Sequence, residues 1–406
     1  SESVTARFND LFRSQISIED LQRLFQNLSA QNGGKPVVLI STMGATDYTA
    51  VVLIGAEGSG VDEQLQLTIL VEERPPYLIS GLVLQEPPED LEVIPQSLED
   101  IAQQLQALAP TSTYLAAEVI NGNECQPLDG SNNIDTSVPI GSVFKLYVLG
   151  AVIDFLGNNT WELEWNDTIP IQDDLKSLPS GTMQNEPAGT DFSILEYAQK
   201  MISISDNTAT DHLIDWVGRT QVEQALTDLG HANPNVNIPF LNTVDLFRFK
   251  AGQNEEQVAN YLQLNVEEKR QFLANLTDQV AIDSLDLNVL SSPRFINAIE
   301  WFASPNDICR AFVGLSESAQ ATDCESELAS ILTLDTTGLG DENMWDFIGY
   351  KGGSESGVIM MAFVADRSDG RRFVQVLSLA DEENQVDNRQ VNLLASEGFR
   401  LLGQVF

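Results

Sequence analysis

The residues with the clearest chemical potential are Ser142 and Lys145, in the run Ser142-Val143-Phe144-Lys145. They open an apolar stretch (Phe144, Leu146, Val148, Leu149, Val152, Ile153, Phe155) whose spacing predicts a helix. On a helix, positions i and i+3 share a face, which puts the lysine beside the serine hydroxyl. A serine alone is a weak nucleophile. It is activated by an adjacent base, and a lysine stripped of water can be that base because burial disfavours its charged form. A helix start also offers backbone N–H donors to an oxyanion. The structural alternative is an N-cap serine followed by a lysine stretched along the surface.

Two further short runs could serve the same chemistry. Ser205-Asp206-Asn207 follows the helical pattern Ile194–Ile202, and Lys351-Gly352-Gly353 follows Phe347-Ile348-Gly349-Tyr350 just before a closing hairpin pattern. Each is weak alone. Ser131-Asn132-Asn133 and Ser304-Pro305-Asn306 match Ser-x-Asn equally well, and Lys250-Ala251-Gly252 matches Lys-x-Gly. Paired glycines after Lys351 permit close backbone approach to a ligand, whereas an ordinary turn would explain them without function.

Other chemistries have less support. Two histidines, His212 and His231, and the absence of a Cys-x-x-Cys pair argue against a metal site. No Gly-x-Ser-x-Gly elbow, Walker loop or dinucleotide fingerprint occurs, so no cofactor is expected. His212 and His231 read as structural residues, the second near a helix C-terminus. With 21 basic and 60 acidic residues the chain carries a net charge of −39, which repels phosphate backbones and anionic lipid heads. Nucleic acid is therefore not an expected partner, and no apolar run long enough for a membrane span is apparent. Of Cys125, Cys309 and Cys324, the last two could close a short disulfide loop if the protein is exported; the alternative is three small buried apolar side chains.

The elements that must position these residues fall into two parts. Phe8 to Leu28 has apolar residues at helical spacing, ended by Gly33-Gly34. Strand-like runs follow at Val37–Thr42, Thr49–Ile54, Leu65–Val71 and Tyr77–Leu84. Helix followed by curved antiparallel sheet is an α+β pattern. Pro87-Pro88 among acidic residues marks a linker, which divides the chain into residues 1–88 and 89–406. In the second part Ser97 caps a helix through Leu108, with Asp100 completing a capping box. A strand is predicted over Tyr114–Ile120, mostly helices over 140–330, a hairpin of Val358–Asp366 and Arg372–Ala380 around Asp369-Gly370, and a final helix over Gln390–Phe406. Strands at both ends with helices between predict one sheet that pairs early and late strands, with helices on both faces.

Ser-x-x-Lys, Ser-Asp-Asn and Lys-x-Gly in that order, on a helix start, a helical-region loop and a late strand, resemble class A β-lactamases and their penicillin-binding relatives over residues 97–406. The resemblance implies an α/β domain with an antiparallel sheet flanked by helices. It also implies roles: Ser142 acylated, Lys145 assisting its deprotonation, Ser205 passing a proton to the leaving group, and Asn207 binding the substrate amide. Lys351 would hold the substrate carboxylate, with Gly352, Gly353 and Ser354 forming the substrate-binding strand. The oxyanion hole would be the N–H groups of Ser142 and Ser354. Two positions depart from the family pattern. In the loop Ile238-Pro239-Phe240-Leu241-Asn242, Ile238 stands where the family has the glutamate that activates the deacylating water, and an isoleucine accepts no proton. Gly352 stands where the family has Thr or Ser, which removes a hydroxyl from the carboxylate pocket. A small helix-and-sheet domain fused to such a domain resembles the clavulanate-cluster β-lactamase-like proteins, whose front domain is a ketosteroid-isomerase-like cone. In that front domain Asp47 and Tyr48 could pair catalytically, or be a turn and a strand residue.

The expected function is a serine acyl hydrolase with an acyl-enzyme on Ser142, an esterase or a poor β-lactamase because the deacylating glutamate is absent, acting on a small-molecule ester or β-lactam-like substrate. The alternative is a non-hydrolytic penicillin-interactive or ligand-binding protein. A third reading gives the front domain the main role, docking a partner. The chain begins at Ser1 without Met, which is the pattern of a processed or trimmed form. The family is usually exported, so a periplasmic or extracellular bacterial protein is expected. Sequence alone leaves the oligomeric state open.

Overall fold

The computed structural model describes residues 7–8, 37–46, 49–56, 65–71, 78–85, 94–158, 163–280, 285–333 and 344–404. The chain divides into two compact units, one ending at Ile94 and the other starting at Pro95.

In the first unit, strands β1 (Val37–Thr46), β2 (Thr49–Ala56), β3 (Leu65–Val71) and β4 (Ile79–Gln85) form an antiparallel sheet in sequence order. β-branched and aliphatic residues dominate each strand, as extended backbone favours. Register shifts between Leu39 and Ser41, Thr42 and Gly44, and Leu70 and Val71 mark bulges, which bend and twist a sheet. The helix expected over Phe8–Leu28 lies, apart from Phe8, outside the described residues, as do Asp47 and Tyr48.

The second unit begins with α1 (Leu98–Leu108). Ser97 Oγ accepts from Asp100 N (3.1 Å) and Asp100 Oδ2 accepts from Ser97 N (3.0 Å), the reciprocal box read from the sequence. Leu98, Ile101, Ala102 and Leu105 are its buried stripe. The sheet has the order β11-β12-β13-β5-β6, built from β5 (Thr111–Ile120), β6 (Glu124–Pro127), β11 (Trp345–Glu355), β12 (Val358–Arg367) and β13 (Arg372–Ala380), all antiparallel. Early β5 thus pairs with late β13, Ala116 opposite Gln375 and Tyr114 opposite Leu377. The central strands read as near-continuous apolar runs because helices cover both faces: α1 and the final helix on one, a group of helices on the other.

Short pairs complete the unit: β7 (Val138–Pro139) with β10 (Phe302–Ala303), and β8 (Thr168–Pro170) with β9 (Asp191–Ser193). The helices are α2 (Lys145–Asn158), α3 (Ile194–Ser203), α4 (Asn207–Val217), α5 (Arg219–Asp228), α6 (Thr243–Gly252), α7 (Glu255–Leu262), α8 (Val266–Gln279), α9 (Pro305–Ala321), α10 (Glu325–Thr333) and α11 (Asn388–Gln404). α2 is buried on every side from Lys145 to Ile153. That explains its unbroken apolar run, since a helix apolar all round is a core helix. Among the described residues, Gly141–Asn158 is the one helical stretch long and apolar enough to cross a membrane, and most of it is buried within the protein.

The cysteine pairing differs from expectation. Cys125 on β6 bonds Cys309 on α9, with Cα atoms 6.3 Å apart, while Cys324 is buried as a free thiol whose pKa burial pushes up. The short loop from Cys309 to Cys324 suggested a local bridge. The fold instead carries Cys309 across to the sheet edge and leaves Cys324 in the core, 3.3 Å from Thr322 Oγ1.

Candidate active site

Ser142 is delivered by a well-anchored segment. After β7, Ile140 N donates to Trp301 O (3.0 Å), and residues 141–144 wind into a 3-10 turn that runs into α2. Phe144 stacks on Trp301 with ring centroids 3.6 Å apart. Gly141 has φ +48°, a left-handed conformation that costs little only without a side chain. A Cβ there would lie 3.0 Å from Ser354 N. On the facing strand, a Cβ at Gly353 would collide with Ile140 O and lie 2.7 Å from Ser142 N. The two glycines are therefore what let β11 and the Ser142 turn touch backbone to backbone. Ser142 and Ser354 consequently line the same cleft.

The lysines meet at Ser205. Lys145 is fully buried. Its Nζ lies 2.7 Å from Ser205 O, 3.0 Å from Ser205 Oγ and 2.7 Å from Asn207 Oδ1. Lys351 Nζ reaches the same Ser205 Oγ at 3.2 Å and donates to Gly352 O at 2.6 Å. Burial, then the positive charge of Lys351, holds the Lys145 pKa well below the usual lysine value, and Asp206 and Asp211 oppose that shift. One hydroxyl flanked by two amino groups, one of them favoured as the neutral base, is an arrangement for moving a proton. The expected direct pairing of Lys145 with Ser142 is absent from these bonds. Ser142 sits in a 3-10 turn and the α-helix starts only at Lys145. The lysine stem runs instead toward the Ser205 loop.

That loop is held under strain. Ser205 has φ +55°, which for a non-glycine residue costs on the order of 1–3 kcal/mol and persists only where surroundings enforce it. Asp206 enforces it. Its buried carboxylate caps α4 by accepting from Ala209 N (2.8 Å), while its other oxygen accepts from Thr182 N (2.6 Å) and Met183 N (2.8 Å). Asn207 follows with its amide engaged at both ends, Oδ1 by Lys145 and Nδ2 donating to Leu178 O (2.8 Å). A second Nδ2 hydrogen remains to this group by its chemistry. The competing Ser-x-Asn runs are structural: Ser131 Oγ bonds the Ala116 backbone, and Ser304 caps α9.

The cleft has two lobes that share Ser142, Ser180 and Ser354. One, about 190 Å³, has walls that include Phe144, Leu246, Phe247, Leu290 and Trp301. The other, about 300 Å³, includes Ser205, Tyr350, Lys351, Gly352 and Gly353. All eight sequence-predicted residues thus reach the cleft or, for Lys145, bond directly to residues that line it.

Sequence reasoning missed a buried group in the apolar lobe. Lys250 on α6 is ion-paired with Glu355 on β11 and lies 3.8 Å from Glu300 Oε2. Burial holds Glu300 well above the usual carboxylate range, with Lys250 opposing and Glu355 adding to the shift. The three come from distant segments, so no local pattern could have gathered them, although Lys250 stood in a discarded Lys-x-Gly run. α6 is anchored by Asp211, whose oxygens accept from Thr243 N (2.7 Å) and Val244 N (3.0 Å). Burial nevertheless pushes this carboxyl up to about 7. Ile238 is half-buried and is not among the residues that line either lobe, and Asn242 caps α6. His212 is a satisfied core residue. Its Nδ1 lies 2.8 Å from Thr208 O, its Nε2 accepts from Gln172 N (2.9 Å), and burial lowers its pKa.

Residues 101–289, which include Ser142, Lys145, Ser205 and Asn207, match the model of the β-lactamase enzyme family. Comparison with curated proteins found no match. Among solved structures, a β-lactamase from Sphaerobacter thermophilus is similar at 20% identity and TM-score 0.50, over 75% of this chain and 94% of that one. A β-lactamase from Francisella tularensis is similar at 14% identity and TM-score 0.52, over 76% and 97%. One from Desulfarculus baarsii is similar at 14% identity and TM-score 0.51, over 77% and 100%. The unit from Pro95 onward therefore has the fold of these β-lactamases, and its residues 101–289 match the β-lactamase enzyme family model.

Proposed function

We propose that this protein is a serine acyl hydrolase that forms an acyl-enzyme on Ser142 and releases it slowly, with small esters as better substrates than β-lactams. The observation that carries this reading is the buried Lys145, its pKa lowered, hydrogen-bonded to Ser205 in turn bonded to Lys351, beside the cleft that Ser142 lines. Ser142 Oγ attacks the carbonyl carbon while neutral Lys145 takes its proton, directly or through Ser205. The N–H groups of Ser142 and Ser354 stabilise the tetrahedral oxyanion. Ser205 then delivers its proton to the leaving nitrogen or oxygen as that bond breaks and regains one from the Lys145 ammonium 3.0 Å away, with Lys351 holding the hydroxyl in place. Asn207 orients the substrate amide.

Slow release is part of this reading because Ile238, by its place in the Ile238–Asn242 run, is taken as the counterpart of the family's deacylating glutamate. The carboxylates that do line the cleft, Glu300 and Glu355, are engaged with Lys250. Without an available base, attack of water on the ester loses about 10²–10⁴-fold in rate. The front unit is ketosteroid-isomerase-like in this proposal, supported by its bulged four-stranded antiparallel sheet. The Cys125–Cys309 bond supports export to an oxidising compartment.

Incubation with a fluorescent penicillin and a chromogenic ester, followed by intact mass over time, tests the reading. The expected result is an adduct on Ser142 that outlasts the burst of product. Steady penicillin turnover without adduct would remove the slow-release claim, and neither adduct nor turnover with either probe would remove the acyl-enzyme itself. In the same assay Ile238→Glu is expected to shorten the adduct lifetime by about 100-fold. An unchanged lifetime would mean that position 238 does not face the ester.

A further inference from the structure

The polar lobe of the cleft is chemically unlike the rest of the molecule. The chain holds 60 acidic residues, yet among the described residues no Asp or Glu lines this lobe. Its polar lining includes the buried ammonium of Lys351, the hydroxyls of Ser205, Ser354 and Tyr350, and Asn388 and Asn392 at the start of α11. A cavity that gathers a lysine and neutral donors, and excludes carboxylates in so acidic a protein, is built for an anion.

Within that lobe, Tyr350 occupies an informative position. Residues 350, 352 and 354 point to one face of β11, since side chains alternate along a strand. Gly352 has no side chain, and a Cβ built on it would collide with the Tyr350 hydroxyl, with Tyr350 Cζ at 2.8 Å. The phenol oxygen thus stands where a side chain at 352 would begin. The ring is fixed there by stacking on Phe363, its register partner on β12, with centroids 4.6 Å apart and an interplanar angle of 29°. The Tyr350 hydroxyl is therefore presented at position 352 from two residues away, on the same strand face.

We propose that Tyr350 is a substrate-recognition residue whose phenol hydroxyl donates to an anionic group of the substrate, a carboxylate, beside Lys351. This rests on the acyl-enzyme reading for what the cleft processes, but the binding itself needs no acylation. Gly352 is then required because any larger residue would displace the phenol. The apolar lobe holds the remainder of the substrate, so the preferred substrate has an apolar acyl part and a carboxylate on the far side of the reacting carbonyl.

The test uses the full chain carrying Ser142→Ala, so that binding is measured without chemistry. Titration calorimetry compares benzylpenicillin, which has a free carboxylate, with its neutral methyl ester. Adding Tyr350→Phe is expected to weaken the acid by about 10- to 100-fold, the size of one hydrogen bond to a charged group, and to leave the methyl ester unchanged. Tyr350→Ala should lose the acid similarly, and Tyr350→Ala with Gly352→Thr should recover most of it by restoring a hydroxyl in the vacated space. Equal loss of acid and ester, no loss of acid in Tyr350→Phe, or no acid binding by the parent protein would each overturn the proposal. If the acid binds as expected while the protein with Ser142 intact forms no adduct, the acyl-enzyme reading fails and the role of Tyr350 stands.

Discussion

Ser142→Ala protein takes up no covalent label from penicillin or phosphonate probes at any time point, while its melting temperature stays within a degree or two of the parent. Labelling is lost because Ser142 is the proposed nucleophile, and the hydroxyl bonded to both lysines is not free to take its place. Ser205 Oγ is held between Lys145 and Lys351, and its backbone is fixed in a left-handed conformation by Asp206, so it cannot swing to the carbonyl. The fold persists because, among the described residues, the Ser142 hydroxyl forms no hydrogen bond. The turn around it is held by other groups: Ile140 N to Trp301 O, the Phe144–Trp301 stack, and the close contact of Gly141 and Gly353 with the opposing backbone. Removing an exposed-side hydroxyl from such a turn changes stability by no more than about 0.5 kcal/mol. Intact mass spectrometry and differential scanning calorimetry on the same samples check both halves. An adduct on the Ser142→Ala protein would end the nucleophile assignment, and loss of labelling together with unfolding would show only that the residue is structural.

Local chemistry in the sequence explains what could be read from it. Ser97 and Asp100 announce α1 because a capping box is closed within four residues, and the hairpin of β12 and β13 is written in two β-rich runs around Asp369-Gly370. The three runs that meet at the cleft are legible for the same reason: each is short, and each keeps its residue types together. What could not be read depends on contacts between distant segments. Cys309 bonds Cys125 rather than its sequence neighbour Cys324, because α9 packs against the β6 edge. Lys250, Glu300 and Glu355 meet only once α6, the segment before β10, and β11 are in place. Tyr350 reads as an ordinary strand aromatic until Gly352 beside it is seen to be empty. Asp206 lay inside a motif already noted, and its N-cap position before α4 was a signal that could have identified it as the anchor of the Ser205 loop. The pairing of Ser142 with Lys145 was inferred from α-helical spacing. The hydrogen bonds of the Lys145 amine go to Ser205 and Asn207, partners that only the folded loop brings to it.

Lys145→Met tests the base, and its effect is expected to be second only to that of Ser142→Ala. Methionine keeps much of the buried apolar stem and removes the amine, so the rate of adduct formation falls by about 10³–10⁴. The pH dependence separates a base from a packing residue. In the parent protein the lysine must be neutral to accept a proton. Its pKa is lowered first by burial and next by Lys351, so the neutral fraction rises with pH and reaches its plateau well below the ordinary lysine range. Labelling should therefore speed up about tenfold per pH unit on the acidic side of that lowered pKa and level off above it. The residual labelling of Lys145→Met should lack this limb. Lys351 sets its position: with Lys351→Met the positive charge opposing protonation of Lys145 is gone, so the limb moves to higher pH and the plateau begins later. If Lys145 acted only by filling space, Lys145→Met would label at nearly the parent rate with the same profile, and stopped-flow labelling across pH would show it.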